Sequence, residues 1–98
     1  MKANEAKSYK LMPKQKIIVY TDGGSRGNPG PAALGVVIAD EKGNAMKTYS
    51  KTLGRKTNNE AEYAAVIFAL EKVKALFGKD KIKNMEIEIR MDSELAVR

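Results

Sequence analysis

The most constraining stretch of this sequence is an apolar run at residues 17–20 that leads into Asp22 and then into a turn rich in glycine and proline. The run is dominated by β-branched residues and predicts a β-strand over residues 16–22. Asp22 is then expected at the C-terminal end of that strand, where side chains reach solvent. The turn at residues 23–31 contains four glycines and two prolines, so its backbone N–H groups are expected to be available to an anion.

The residues after this turn predict two more strands, a helix and a fourth strand. Strand patterns cover residues 32–39 and 45–53, which predicts an antiparallel meander. Residues 59–77 predict an amphipathic helix, and residues 86–92 alternate strictly, as a half-buried strand does. The apolar stripe that the helix is expected to bury consists of Tyr63, Val66, Ile67, Leu70, Val73 and Phe77.

Signals for the ends of the helix are also present. Thr57 and Glu60 have the spacing of a capping box, although a neighbouring asparagine could cap the helix instead. Gly78 is expected just beyond the last turn. Residues 79–83 are polar and predict a loop that leads into the fourth strand.

The charge of the chain suggests a polyanionic partner such as nucleic acid. The net charge is +6, but residues 1–16 alone carry +4, so residues 1–15 are interpreted as a basic N-terminal tail. The sequence contains no cysteine and no histidine, which favours a cytoplasmic protein and requires any metal ion to be bound by oxygen. No apolar run approaches 18 residues, so no membrane association is expected.

The order of the elements is expected to bring three acidic residues together. A strand that returns through a helical crossover runs parallel to the first strand, so Asp22 and Asp92 should meet at one edge of the sheet. Glu62, in the first turn of the helix, should point to the same edge. Clustered carboxylates repel one another unless cations neutralise them, and an oxygen-only ligand set suits Mg²⁺ or Mn²⁺.

Each of these acids also has an ordinary structural interpretation. Asp22 before a pair of glycines could start a turn, and Asp92 could cap a following helix. Glu62 could complete a capping box with Asn59 or counter the helix dipole. The joint arrangement favours a metal site that acts on a phosphodiester, for which two ions can clamp the reacting group.

Three motifs resemble those of the type 1 ribonuclease H family. Residues 21–31 (TDGGSRGNPGP) resemble its first signature, residues 57–63 (TNNEAEY) its second, and residues 92–95 (DSEL) its third. The resemblance covers about residues 16–98. It implies an α/β fold with a mixed sheet, in which strands 1–3 are antiparallel, strand 4 is parallel to strand 1, and a helix makes the crossover.

The resemblance implies a metal-dependent endonuclease that hydrolyses the RNA strand of RNA–DNA hybrids with two Mg²⁺ ions, or with Mn²⁺. On this basis Asp22, Glu62 and Asp92 are the catalytic metal ligands. The substrate would be recognised partly through its 2′-hydroxyl groups, which distinguish RNA from DNA. The residues expected to bind it are Gly23, Gly24, Ser25, Arg26, Asn28, Asn58 and Asn59.

Members of the family continue with a further strand, last helices and a fourth catalytic aspartate. Residues 16–98 are therefore expected to be the N-terminal portion of a ribonuclease H domain. A non-catalytic hybrid-binding module and an inactive fragment are the alternatives. The outer edge of strand 4 is expected to be exposed and to favour self-association or pairing with a complementing C-terminal fragment.

Overall fold

The computed structural model describes residues 15–91, which form a mixed β-sheet with a long helix packed on one face. The strands are β1 (Gln15–Ser25), β2 (Gly30–Asp40), β3 (Ala45–Lys56) and β4 (Met85–Met91), in the spatial order β3-β2-β1-β4. Helices α1 (Asn58–Phe77) and α2 (Lys79–Ile82) connect β3 to β4. The expected meander and the parallel pairing of β4 with β1 are confirmed. No helix in this part of the chain is long and apolar enough to cross a membrane.

Strand β1 is longer than the sequence predicts, and this changes the setting of Asp22. Asp22 pairs with Gly35 of β2, and the antiparallel ladder continues to Ser25. Gly23 and Gly24 therefore remain extended, because β2 offers them pairing partners that a local sequence pattern does not reveal. Asp22 lies within β1 rather than at its end, three residues before Ser25, the last residue of the strand. The polar loop predicted over residues 79–83 contains the short helix α2 instead.

The hydrophobic core lies between the sheet and α1. Strands β1 and β2 fill it with β-branched side chains that alternate along each strand, as a sheet with one buried face requires. The fully buried residues of this layer are Ile17, Val19, Val36 and Ile38, and α1 contributes Ala61, Ala65, Ala69 and Val73. The alanines recur at steps of four, so they form one narrow face of small side chains on the helix.

The buried face of α1 is not the apolar stripe that the sequence predicts. Val73 belongs to both, but Tyr63, Ile67 and Leu70 are 73%, 48% and 45% exposed. Hydrophobicity alone favours burial of the large side chains. Close approach of the helix to the sheet instead requires small ones, and the alanine face satisfies that requirement. The prediction for these three residues was wrong.

The caps of α1 are those that the sequence predicts. The Thr57 hydroxyl accepts the Glu60 N–H at 3.1 Å, and the Glu60 carboxylate accepts the Thr57 N–H at 2.9 Å. The bond from the Thr57 N–H is the main reason that the pKa of Glu60 lies below its usual value. Gly78 ends the helix with φ of 91°, and its N–H donates to the carbonyl oxygen of Lys74. The capping box fixes where α1 begins, and hence the position of its first turn.

Candidate functional site

A cleft of about 1060 Å³ opens where β1, the β1–β2 turn and the N-terminus of α1 meet. All the predicted site residues that the structure describes line this cleft. They are Asp22, Gly23, Gly24, Ser25, Arg26, Asn28, Asn58, Asn59 and Glu62. The remaining predicted ligand, Asp92, lies outside the described residues. The fold thus brings the first two motifs, which are separated in sequence by β2 and β3, into one site.

Gly23 is the point at which α1 touches β1. A Cβ atom at this position would lie 2.2 Å from the carbonyl oxygen of Ala61 and 2.9 Å from the backbone nitrogen of Glu62. Only glycine permits so close an approach of two backbones. Because Asp22 precedes Gly23 and Glu62 follows Ala61, this single contact brings both acidic residues to the same cleft.

Hydrogen bonds to two asparagine side chains connect the β1–β2 turn to the start of α1. The Asn58 side-chain oxygen accepts the Ser25 N–H at 2.8 Å, and the Asn28 side-chain oxygen accepts the Asn58 N–H at 2.8 Å. The Ser25 hydroxyl lies 2.5 Å from the carbonyl oxygen of Gly27 and 3.2 Å from the Asn58 oxygen. Since a hydroxyl has one proton to donate, the shorter contact is the donated bond. The first two motifs therefore hold each other in place.

The turn offers fewer backbone donors than the sequence predicts. The Ser25 N–H is bonded to Asn58, and the Arg26 N–H is bonded to the carbonyl oxygen of Pro31 at 2.8 Å. These two groups are satisfied within the protein. The cleft also offers side-chain donors to an anion, namely the exposed Arg26 guanidinium and the amide groups of Asn58 and Asn59.

Asp22 and Glu62 are both exposed at the cleft. Glu60 completes the capping box, so Glu62 does not serve as the capping residue that one interpretation of the sequence allowed. Residues 15–91 contain no group of three or more acidic, histidine or cysteine residues placed to hold a metal ion. This part of the chain therefore unites two of the three predicted ligands, and the prediction for Asp92 stays a prediction.

Arg90 is a residue of the site region that the sequence analysis missed. It pairs with Tyr20 across the parallel β1–β4 ladder, and its guanidinium lies 5.8 Å from the centre of the Tyr20 ring. The Glu88 carboxylate accepts its Nε–H at 2.7 Å and raises the pKa of Arg90. Arg90 and Asp22 both line a second cleft of about 580 Å³. The alternation of β4 indicates which residues share a face, but only the register shows that Tyr20 is the neighbour of Arg90.

The chain is similar in sequence to known ribonucleases. Residues 14–98 match the family model described as RNase H. The chain is 49% identical over 80 residues to Ribonuclease HI of Halobacterium salinarum, which covers 82% of this chain and 37% of that protein. It is 36% identical over 85 residues to Ribonuclease HI of Streptomyces coelicolor, which covers 87% of this chain and 33% of that protein.

Solved structures of RNase H1 proteins are similar to the fold of this chain. The crystal structure of LC11-RNase H1 in complex with RNA/DNA hybrid matches with a TM-score of 0.72 and 58% identity, over 84% of this chain and 58% of that chain. The crystal structure of RNase H1 from Halobacterium salinarum matches with a TM-score of 0.67 and 49% identity, over 82% of this chain and 56% of that chain. The chain thus spans 33–37% of the two curated relatives and 56–58% of the two solved chains.

Proposed function

Because the chain belongs to the ribonuclease H family, we propose that it supplies the hybrid-binding cleft and catalytic carboxylates of an enzyme that hydrolyses the RNA strand of RNA–DNA hybrids. The observation that carries this proposal is the convergence of the first two motifs on one cleft. The complex of LC11-RNase H1 with an RNA/DNA hybrid supports the choice of substrate. The cysteine-free sequence supports action in the cytoplasm.

The donor set of the cleft fits a hard divalent cation. Asp22 and Glu62 offer carboxylate oxygens, and the chain has no histidine or cysteine that would favour a softer metal. We propose Mg²⁺, with Mn²⁺ as a substitute, and Asp92 as the third ligand. The parallel register supports this, since it pairs Thr21 with Met91, the residues that precede Asp22 and Asp92 in the sequence. Two bound ions would supply activation of water and stabilisation of the leaving oxygen.

The other residues of the cleft would bind and orient the substrate. The Asn58 oxygen is engaged by Ser25, so its amide NH₂ group is directed away from that bond and can donate to a phosphate or a 2′-hydroxyl. Asn59, the next residue of α1, is exposed, and Arg26 offers a charged donor that also lines the cleft. Because Asn58 is already fixed by its bond to Ser25, its amide would hold the RNA strand near Asp22 and Glu62 at little cost in entropy.

A cleavage assay tests the proposed function. The RNA strand of a hybrid is end-labelled and incubated with the chain and Mg²⁺ or Mn²⁺, with duplex DNA of the same sequence as the control. Cleavage of the hybrid alone would support the proposal. Hybrid binding without cleavage would instead indicate a non-catalytic binding module. The absence of both binding and cleavage would overturn the proposal.

Substitutions of the two asparagines should separate binding from stability. Asn59→Ala should weaken hybrid binding about 2- to 13-fold, which corresponds to the loss of one hydrogen bond of roughly 0.5–1.5 kcal/mol. It should leave the unfolding temperature unchanged, because the Asn59 side chain makes no hydrogen bond within residues 15–91. Asn58→Ala should weaken binding and also cost about 1 kcal/mol of stability, because it removes the acceptor of the Ser25 N–H.

Affinities for hybrid and for duplex DNA at physiological salt, together with thermal unfolding, check this prediction. Equal affinity of the parent chain for both duplexes would show that the cleft does not recognise 2′-hydroxyl groups. A loss of stability in Asn59→Ala as large as that in Asn58→Ala would contradict the separate roles.

We also propose that β4 pairs with a second copy of the chain or with a separate polypeptide that completes the sheet. Within the described residues β4 has β1 on one side and no strand on the other, and an open edge is a template for another strand. Met91 is 53% exposed, and Ile87 and Ile89 are half-buried. Further cover over these side chains would stabilise an assembled form.

Sedimentation should therefore show concentration-dependent association of the chain. Met91→Lys should shift it towards the monomer, because a charge on an edge strand opposes pairing. Met46→Lys is the matched control, since Met46 lies on β3 and is 43% exposed. A monomer at all concentrations with slow hydrogen exchange throughout residues 86–91 would show that the edge is satisfied in another way.

A further inference from the structure

Lysine and aromatic side chains form a cluster between β3 and α1, outside the cleft. The rings of Tyr49 on β3 and Phe68 on α1 meet edge to face, with centroids 5.8 Å apart. The Lys72 ammonium lies 5.1 Å from the Phe68 centroid and 5.5 Å from that of Tyr49. The Lys51 ammonium lies 5.5 Å from the Phe68 centroid. These four residues are called the lysine–aromatic patch below.

The two ammonium groups of the patch are positioned by the rings without being neutralised. A ring face attracts an exposed ammonium weakly, which orders the lysine stem but leaves its charge in place. The ion pairs within residues 15–91 involve Lys16 and Arg90 with the carboxylates of β4. Glu71, which precedes Lys72 in α1, takes part in none of them. The patch therefore presents two positive charges on the same side of the molecule.

The patch is continuous with the cleft. Lys51 precedes Thr52 in β3 and pairs with Leu34 of β2, and both Thr52 and Leu34 line the cleft. A nucleic-acid strand carries one phosphate for about every 3.4 Å of its axis. A duplex that enters the cleft and extends past β2 towards β3 would bring further phosphates to the lysines.

We propose that the lysine–aromatic patch is a second contact surface for the phosphodiester backbone of a duplex bound in the cleft. This inference rests on the proposed function, because it takes the cleft as the place where the duplex is seated. Each ammonium is a compact charge with three donors for phosphate oxygens. Contacts to phosphate carry no information about the sugar, so the patch should strengthen binding to hybrid and to duplex DNA equally.

The test compares two double variants that remove the same charge. Lys51→Gln with Lys72→Gln removes the ammonium groups of the patch and keeps both rings. Lys79→Gln with Lys83→Gln is the control, because these exposed lysines lie at and just after α2, which follows the end of α1 remote from the cleft. Affinity for labelled hybrid and for labelled duplex DNA is measured over a range of salt concentrations, in EDTA.

Each lost phosphate contact should reduce the slope of log K against log salt by about 0.9. The patch variant should therefore lose about 1.8 in slope, and its affinity at physiological salt should fall on the order of 10-fold with both duplexes. The control variant should keep the slope of the parent chain. Both variants should remain folded, and the patch variant should unfold at a slightly lower temperature than the control because it loses the contacts between the lysines and the rings.

If the slope of log K against log salt is the same in the patch and control variants, the proposal is overturned, whether or not the parent chain prefers hybrid to duplex DNA. A patch variant that loses slope while the parent binds hybrid and duplex DNA equally would support the patch and contradict the proposed substrate. Failure of the parent to bind either duplex would overturn both. The two proposals can therefore fail independently.

Discussion

Replacement of Asp22 by asparagine is expected to abolish metal-dependent cleavage of the hybrid without loss of the fold. Asparagine preserves the shape of the side chain at this exposed position of β1, but it removes the negative charge that would hold a cation. A bound cation supplies several kcal/mol of charge stabilisation to phosphodiester hydrolysis. Loss of its ligand should therefore lower the rate on the order of 10³-fold.

Calorimetric titration with Mg²⁺ and Mn²⁺, beside the cleavage assay, checks this prediction. Asp80→Asn is the matched control, because it removes one exposed carboxylate from α2, away from the cleft. Thermal unfolding of Asp22→Asn and Asp80→Asn without metal separates a loss of stability from a loss of metal binding. Equal Mg²⁺ affinity of Asp22→Asn and the parent chain would contradict the assignment of Asp22 as a ligand.

Gly23→Ala is expected to lower the stability of the domain and to disturb the geometry of the site. The added methyl group would lie 2.2 Å from the carbonyl oxygen of Ala61, so β1 and α1 would have to separate. Forced overpacking of this kind costs about 1–3 kcal/mol, and occasionally more. For a domain of this size each kcal/mol lowers the unfolding temperature by roughly 4–8 °C. The same separation would move Glu62 away from Asp22 and weaken metal binding.

Gly24→Ala is the control for this substitution, one residue further along β1. A methyl group at Gly24 would meet nothing closer than the Asn58 side chain at 3.7 Å, which is an ordinary contact. Its unfolding temperature and metal affinity should stay close to those of the parent. Equal destabilisation by the two substitutions would show that the contact between Gly23 and Ala61 does not determine the packing of α1.

Much of the fold could be predicted because its determinants are local. The β-branched run of β1, the alternation of β4 and the capping pair of Thr57 and Glu60 each specify an element from neighbouring residues alone. Chain connectivity then favours a β4 parallel to β1, because a helical crossover joins β4 to β3, and β3 runs in the same direction as β1. The same reasoning identified the cleft, because the first two motifs lie at ends of elements that this topology brings together.

The sequence by itself determined the order of the four strands and the long helix, and which of the described motif residues meet in the cleft. Only the tertiary structure decided which face of α1 is buried, because the backbone contact at Gly23 selects alanines over the larger Ile67 and Leu70. The β1–β2 ladder extended β1 beyond Asp22, and the β1–β4 register paired Tyr20 with Arg90. These features depend on contacts between segments far apart in sequence, and local patterns do not contain that information.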